Sequence, residues 1–216
     1  ATSYGPGGGS HTIITSGPFT NRTVGGGTRG QIFGTSSYGS GYPGVPFGRS
    51  VRGQGFPFWF WPLVWGTGVG VGIGTLAYLD EADEYGSPTN SSRPGGPMMQ
   101  ASFQSNSSAP TVFHLLADNA TVISLITSIR TNCSRSLNNG TTSTLPASYI
   151  GALPDPQPEQ AIQYYRASSV VLTLDGYNNS AVYSPDVNAS ATALPTGVDS
   201  TLLDCLNTTI GQAVPL

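Results

Sequence analysis

The chain has 216 residues, a formal net charge of −3 and only 9% charged side chains, a length that fits one or two domains. Residues 1–79 carry four arginines and no acid, whereas residues 80–216 carry four arginines and eleven acids. Four dispersed arginines do not form the basic patch that nucleic-acid binding requires, so we expect no nucleic-acid partner. The opposite charges of the two parts can instead attract each other, within one molecule or between neighbouring copies.

Residues 1–55 are a Gly-rich, basic arm. Short β-prone pieces, His11–Thr15 and Gln31–Phe33, lie there between Gly and Pro residues that interrupt regular structure. A lone copy of such an arm cannot bury enough apolar surface to offset the entropy lost on ordering. We therefore expect an extended arm that is either disordered or ordered by packing on something else.

The apolar segment 56–79 contains no charged side chain. From Gly66 to Gly74, glycines alternate with Thr, Val and Ile, which is the period of a β-strand. A helix would lose about 1 kcal/mol for each Gly relative to Ala, and Pro57 and Pro62 would interrupt it. We therefore predict a strand that adds to another copy of the chain. Its expected self-association residues are Phe56, Phe58, Trp59, Phe60, Trp61, Trp65, Val69, Val71 and Ile73.

A membrane span over residues 56–79 stays open as the alternative. About 20 apolar residues suffice to cross a bilayer, and the spacing of Gly66, Gly70 and Gly74 also occurs between packed membrane helices. Arginines precede the segment and acids follow it, as in a span whose N-terminal side is cytoplasmic. Such a span would separate the glycosylation sequon at Asn21 from all later sequons, so a glycan on Asn21 would exclude it.

Residues 80–108 predict a solvated linker. They begin with Asp80, Glu81, Asp83 and Glu84 and continue as a run rich in Ser, Pro, Gly and Asn. The spacing of the acids does not match the calcium-binding loop of an EF-hand. We therefore predict no metal site here.

Residues 109–216 predict a small α+β domain in the order strand, helix, helix, strand, helix. The strands are expected at Thr111–Leu116 and Ser169–Leu174. The first helix should run from a cap at Asp118 or Asn119 to about Cys133, because Val122, Ile126 and Ile129 share one helical face. The other two helices are expected at Pro158–Ala167, which starts with proline and acid, and from the cap Asp199 to Ile210.

Cysteines and sequons indicate a secreted glycoprotein. In that compartment Cys133 and Cys205 are expected to form a disulfide that pins two helices together, worth roughly 4 kcal/mol through chain entropy. Ala1 opens a polar run that fits a terminus left by signal cleavage. Nine N-x-S/T sequons predict covalent N-glycans: Asn21, Asn90, Asn106, Asn119, Asn132, Asn139, Asn178, Asn188 and Asn207.

Catalytic motifs are missing from the sequence. It contains no G-x-S-x-G nucleophile elbow and no phosphate-binding P-loop, and two histidines with two cysteines give no zinc motif. His114 lies in an apolar strand, where a packed histidine is favoured over a catalytic base. Asp175 and Asp199 are explained by a turn and a helix cap. We therefore expect a protein that is not an enzyme and needs no cofactor.

Four strings, RGQGFPFWFWP, NSSRPGG, YYRASSVVLTLDGYNN and LLDCLNTTIGQAVPL, cover parts of residues 50–216. In these strings the chain resembles uncharacterised secreted or surface glycoproteins of mushroom-forming (basidiomycete) fungi. The resemblance implies a fungal extracellular setting and implies no activity.

These features together predict a secreted, N-glycosylated structural protein. We expect it to associate with itself into extracellular filaments or a surface layer, at the cell surface or in the wall, because an exposed apolar segment needs a cover. One alternative is a membrane-anchored surface glycoprotein with residues 56–79 as its single span. The other is a cell-wall protein that binds wall polysaccharide by stacking exposed aromatic rings on sugars.

Overall fold

A computed structural model describes residues 5–45, 49–66, 77–79 and 81–216. Its central element is a five-stranded antiparallel sheet with the strand order β5–β3–β4–β7–β6. The sheet strands are β3 (Met98–Gln104), β4 (Val112–Asp118), β5 (Ala147–Ser148), β6 (Ala161–Tyr165) and β7 (Val170–Leu174). A separate two-stranded ribbon consists of β1 (Thr12–Ile13) and β2 (Thr23–Val24). The helices are α1 (Ala82–Tyr85), α2 (Asn119–Asn132) and α3 (Ser200–Ala213).

Helix α2 covers part of the sheet and packs on helix α3. Helix α2 lies against β3 and β4 and contacts α3, because its apolar residues repeat every three or four positions and form one buried stripe. Asp118 and Asp199 cap the two helices, each accepting a backbone N–H at 3.0 Å. Two of the three predicted helices, both caps and the two predicted strands are present. The fold is mixed α+β, as expected, but it contains more sheet and does not follow the predicted order of strands and helices.

The predicted disulfide is confirmed. Cys133 follows the last residue of α2 and is bonded to Cys205 within α3, with 5.8 Å between their Cα atoms. The bond therefore fixes the packing of the two helices at one end, as the sequence suggested.

The helix predicted over residues 158–167 is wrong. Pro158–Gln160 forms a single 3-10 turn, and Ala161–Tyr165 then becomes β6. Proline and acid do mark a helix start, but Tyr164 and Tyr165 are buried in strand pairing with β7. Long-range pairing of these aromatic residues overrides the local helix signal.

Residues 98–104, which the sequence placed in a linker, form β3. This strand lies between β4 and β5 and pairs with β4 along its whole length. Its buried side chains include Ala101 and Phe103, whereas Gln and Ser residues alternate with them on the other face. The sequence placed β3 in the linker because its Gln and Ser residues resemble those of the polar run before it.

The arm is folded onto the edge of the sheet and does not extend away from it. Residues 32–35 run along β6: the Gly34 amide donates to the Tyr164 carbonyl at 2.9 Å, and the Tyr164 amide donates to the Thr35 carbonyl at 2.8 Å. This pairing covers an edge that would otherwise be open to other chains. Arm residues such as Phe19 and Ile32 are buried in the same hydrophobic core as the sheet.

Ion pairs join the arm to the acidic run. Arg22 contacts the carboxylate of Glu84, and Arg52 contacts Asp83 at 2.7 Å and Glu81 at 3.0 Å. The opposite charges of the arm and the acidic run thus attract each other within one molecule.

The other two arginines of the arm bind backbone carbonyls near the C-terminal end. Arg29 donates to the Val214 carbonyl and Arg49 to the Asp186 carbonyl, each at 2.6 Å. All four arginines of residues 1–79 therefore tie the arm to residues that follow the apolar segment.

Candidate functional site

Three of the six described members of the predicted self-association surface are buried in their own chain. Phe56, Phe58 and Trp65 belong to the hydrophobic core. The Phe56 ring packs edge-on against Phe19 at 5.1 Å, and Trp65 packs against Tyr149 at 6.4 Å between ring centroids. In this structure, these three residues are covered without a neighbouring copy.

Trp59 behaves differently, with 65% of its surface exposed. Phe60 and Trp61 are half-buried. The Phe60 ring centroid lies 3.5 Å from the guanidinium carbon of Arg166, and the ring centroids of Trp61 and Phe19 lie 5.0 Å apart. Three further predicted members, Val69, Val71 and Ile73, lie outside the described residues. Among the described members of this set, Trp59 is therefore the one residue classed as exposed.

A second group of exposed apolar side chains lies on the loop 145–153. Leu145, Ile150 and Leu153 are 76%, 57% and 83% exposed. The loop contacts the apolar segment where Gly66 meets Gly151, and a Cβ on Gly66 would lie 2.6 Å from the Gly151 Cα. Only glycine permits so close an approach of two backbones.

The sequons avoid this part of the chain. No sequon asparagine is buried: six are exposed, and Asn90, Asn119 and Asn207 are half-buried. The two longest stretches without a sequon are residues 22–89 and 140–177. These two stretches meet at the contact between Gly66 and Gly151, and they carry Trp59 and the exposed residues of the 145–153 loop.

The contacts of the arm oppose a single membrane crossing at residues 56–79. Such a crossing would place Arg22 and Glu84 on opposite sides of the bilayer, whereas they form an ion pair. It would also separate Gly34 from Tyr164, which are hydrogen-bonded. Among the described residues, no helix has the length and hydrophobicity needed to span a membrane.

Pairing of β4 with β7 brings His114 close to Asp175, which the sequence could not show. The imidazole Nε2 lies 3.1 Å from an Asp175 carboxylate oxygen. In the described part of the chain, Asp175 is the side chain that pairs with the imidazole, and the Thr173 hydroxyl bonds to the His114 backbone carbonyl instead. The described residues contain no group of three His, Cys, Asp or Glu side chains that could hold a metal ion.

Among the described residues, the turn between β6 and β7 has the longest run of positive φ angles at residues other than glycine. Three consecutive residues other than glycine have positive φ: Arg166 (51°), Ala167 (48°) and Ser168 (56°). Each such residue costs roughly 1–2 kcal/mol. A hydrogen bond of 3.1 Å from the Ser169 amide to the Arg166 carbonyl closes the turn. Hairpin turns with two positive φ angles normally carry Asn-Gly, so the sequence gave no signal for this turn.

Arg166 anchors the turn in the interior, where its side chain is fully buried. Its guanidinium donates to the Asp118 carboxylate at 2.7 Å, to the Thr121 hydroxyl at 2.9 Å and to the Ser169 hydroxyl at 2.7 Å. Burial lowers the pKa of Arg166 to about 10, although Asp118 opposes the shift. The side chain is therefore still charged at neutral pH, and its ion pair with Asp118 is buried.

The rest of the turn is held by the arm and by the apolar segment. The Ser168 hydroxyl donates to the Ser40 carbonyl at 3.1 Å and accepts the Gly39 amide at 3.0 Å. The Ser168 carbonyl accepts the Leu63 amide at 2.8 Å. Contacts from several separate segments thus fix a backbone conformation that would relax on its own.

No protein-family model, curated protein or solved structure matches the chain. Two features remain as functional candidates. One is the set of exposed apolar side chains on the two sequon-free stretches, Trp59, Leu145, Ile150 and Leu153, called here the sequon-free apolar surface, and the other is the strained turn at residues 166–168.

Proposed function

We propose that this protein is a secreted, N-glycosylated structural protein that associates with itself through the sequon-free apolar surface. The observation that carries the proposal is that chain segments without sequons also carry strongly exposed apolar side chains. The two longest stretches without a sequon meet at Gly66 and Gly151, and both carry strongly exposed apolar side chains. A protein–protein contact needs a surface that bulky glycans leave free, and exposed apolar side chains favour such a contact.

The disulfide and the distribution of sequons support the extracellular part of the proposal. Disulfides persist in oxidising compartments, outside the cytosol. The sequon asparagines lie where a glycan can point into solvent, since none of them is buried. The resemblance to fungal surface glycoproteins agrees with this setting.

The free energies of burial and of association indicate a weak contact that depends on several side chains at once. Full burial of Leu145, Ile150 and Leu153 would contribute about 1.5–3 kcal/mol each. Association costs an estimated 4–15 kcal/mol in translational and rotational entropy. The three side chains can offset only part of that range, so Trp59 or repeated contacts in a polymer would have to supply the rest.

Side-chain packing is a better route to assembly than strand addition at the described sheet edges. Residues 32–35 of the arm already cover β6, and β5 at the opposite edge has only two residues. Short or covered edges are the usual protection against strand addition. The predicted strand addition therefore has no support from the described edges, whereas the apolar surface is available.

A glycan placed on the apolar surface tests the proposal. The double substitution I150N/A152T creates a sequon in the 145–153 loop and leaves Gly151 in place. The control I13N creates a sequon at another exposed isoleucine, in the arm. Sedimentation velocity in detergent-free buffer should show assembly of the wild type and of I13N, with dissociation of I150N/A152T. Monomeric wild type would overturn the proposal, and material that disperses only in detergent would favour a membrane anchor.

The exposed Trp59 ring supports a second candidate, binding of wall polysaccharide. Aromatic faces stack on sugar rings in many binding sites, and this ring is 65% exposed. Pull-down on chitin and β-glucan would separate the two functions. Binding that is lost in W59A, by a protein that stays monomeric, would favour the carbohydrate function.

A further inference from the structure

The peptide bond between Ser168 and Ser169 follows directly on the strained turn. Outside Arg166–Ser168, every described residue with a positive φ is glycine, apart from Asn21. The described residues contain a second run of three positive φ angles, Gly7–Gly9, which is made of glycine, whereas the run at residues 166–168 contains none. Strain that persists because the surroundings hold it is a recurring feature of reactive sites.

The residue after the strained turn carries a hydroxyl nucleophile. The Ser169 hydroxyl donates to the Arg166 carbonyl at 2.7 Å and accepts the Arg166 Nε–H at 2.7 Å. Attack of a serine Oγ on the carbonyl carbon of the preceding residue closes a five-membered ring, so no other side chain is needed to bring the two atoms together. Strain and nucleophile are therefore adjacent in the chain.

We propose that the chain cleaves its own Ser168–Ser169 peptide bond through an N→O acyl shift. The Ser169 Oγ bonds to the Ser168 carbonyl carbon, the hydroxyl proton passes to the Ser169 nitrogen, and the C–N bond breaks. An ester then joins Ser168 to the Ser169 Oγ. Water adds to the ester and the C–O bond breaks, which leaves a carboxylic acid on Ser168 and a free amine and hydroxyl on Ser169.

Two features of the turn favour this step. Breaking the amide frees the three residues with positive φ, so the strain lowers the barrier. Each tenfold gain in rate requires about 1.4 kcal/mol, so the strain can contribute roughly 10²–10⁴-fold. The buried Arg166 guanidinium donates to the attacking Oγ and favours its deprotonation, and the Leu63 amide donates at 2.8 Å to the Ser168 carbonyl oxygen, where the negative charge develops.

The products would stay together after cleavage. Fragment 1–168 contains Cys133 and fragment 169–216 contains Cys205, so the disulfide crosses the break. Strand β7 also keeps its pairing with β4 and β6. The result is a two-chain molecule with the same fold, and this modification is independent of the proposed self-association.

Electrophoresis with and without reductant tests the inference on the full-length protein. The protein is secreted from a eukaryotic host, deglycosylated, and incubated at neutral pH with protease inhibitors. We expect one band without reductant and two bands with it, and N-terminal sequencing of the small fragment should begin at Ser169. Hydroxylamine should trap the ester as a hydroxamate on Ser168, detected by mass spectrometry.

Variants of the nucleophile and of the turn test separately what the hydroxyl and the backbone strain contribute to cleavage. S169A should abolish the small fragment and S169T should restore it, since threonine keeps the hydroxyl. The variant A167G places glycine, which adopts a positive φ without strain, at the centre of the turn and keeps Ser168 and Ser169, so it should slow cleavage roughly tenfold. Because A167G relieves strain and keeps the contacts of the Ser168 hydroxyl, a folding defect cannot explain slower cleavage. An intact wild-type chain, cleavage that persists in S169A, or undiminished cleavage in A167G would overturn the inference.

Discussion

The arm and the sheet–helix half of this molecule become ordered in different ways. In the second half, periodic apolar residues form α2 and α3, and the Asp118 and Asp199 caps begin these helices at the expected places. The arm has little regular structure and is held by arginine contacts, aromatic packing and backbone bonds to β6. A glycine-rich segment can therefore be ordered by a partner surface within its own chain, without order of its own.

The largest loss of stability should come from breaking the buried ion pair between Asp118 and Arg166, where the sheet–helix half meets the arm. The substitution Asp118→Ala removes the cap of α2 and leaves Arg166 charged and buried. We expect the free energy of unfolding to fall by about 3–5 kcal/mol. Urea unfolding followed by circular dichroism would measure the change. Asp204→Ala, at an exposed position of α3, is the control and should change stability by about 0.5 kcal/mol or less.

Loss of the disulfide should have the next largest effect, and it should act on the sheet–helix half. The paired substitution of Cys133 and Cys205 by alanine should destabilise the protein by about 2–4 kcal/mol. Comparison of wild type with and without reductant gives an independent measure. Equal unfolding midpoints in the two conditions would mean that the bond constrains neither state.

The ion pair between arm and acidic run should contribute less. In a double-mutant cycle of Arg22→Ala and Glu84→Ala, we expect a coupling energy of about 1 kcal/mol, because both groups are only partly buried. The arm should also become more sensitive to limited proteolysis while the sheet stays resistant. Arg135→Ala, at an exposed position after α2, should leave both properties unchanged.

The smallest predicted effect is the pH dependence contributed by the Asp199 cap. Partial burial raises the pKa of Asp199, but hydrogen bonds from Ser105, the Leu202 amide and Ser107 outweigh it, so the pKa is lowered. The stabilisation is therefore complete above about pH 4 and is lost as the pH falls through the lower folded-state pKa. Asp199→Asn should show a weaker loss of stability as the pH falls below about 4, measured by urea midpoints. An identical acid slope in both proteins would contradict this role.

The sequence predicted those parts of the fold that local patterns determine. Helix periodicity, cap residues and the two cysteines were sufficient for α2, α3 and the disulfide. It failed at β6, where buried tyrosines pair with β7 in spite of a helix-start signal. It also missed β3, whose Gln and Ser residues resemble those of a linker.

The candidate sites were harder to predict, because they depend on contacts between distant residues. Nothing local distinguishes the exposed Trp59 from the buried Trp65 in the same aromatic run. The strained turn has no Gly or Asn to mark it, and its conformation is held by Asp118, Ser40 and Leu63, which lie far away in sequence. Such a site becomes visible only when the packing around it is known.

Hydrogen exchange tests the central claim that the arm is part of one packed unit with the sheet. Exchange of backbone amides, measured by mass spectrometry on the glycosylated protein, should be slow in residues 32–35 and 56–65 and comparable with that in β6 and β7. Deletion of the Arg22 and Arg52 charges should speed exchange in the arm before it affects the sheet. Fast exchange throughout the arm of the wild type, beside a protected sheet, would contradict the account.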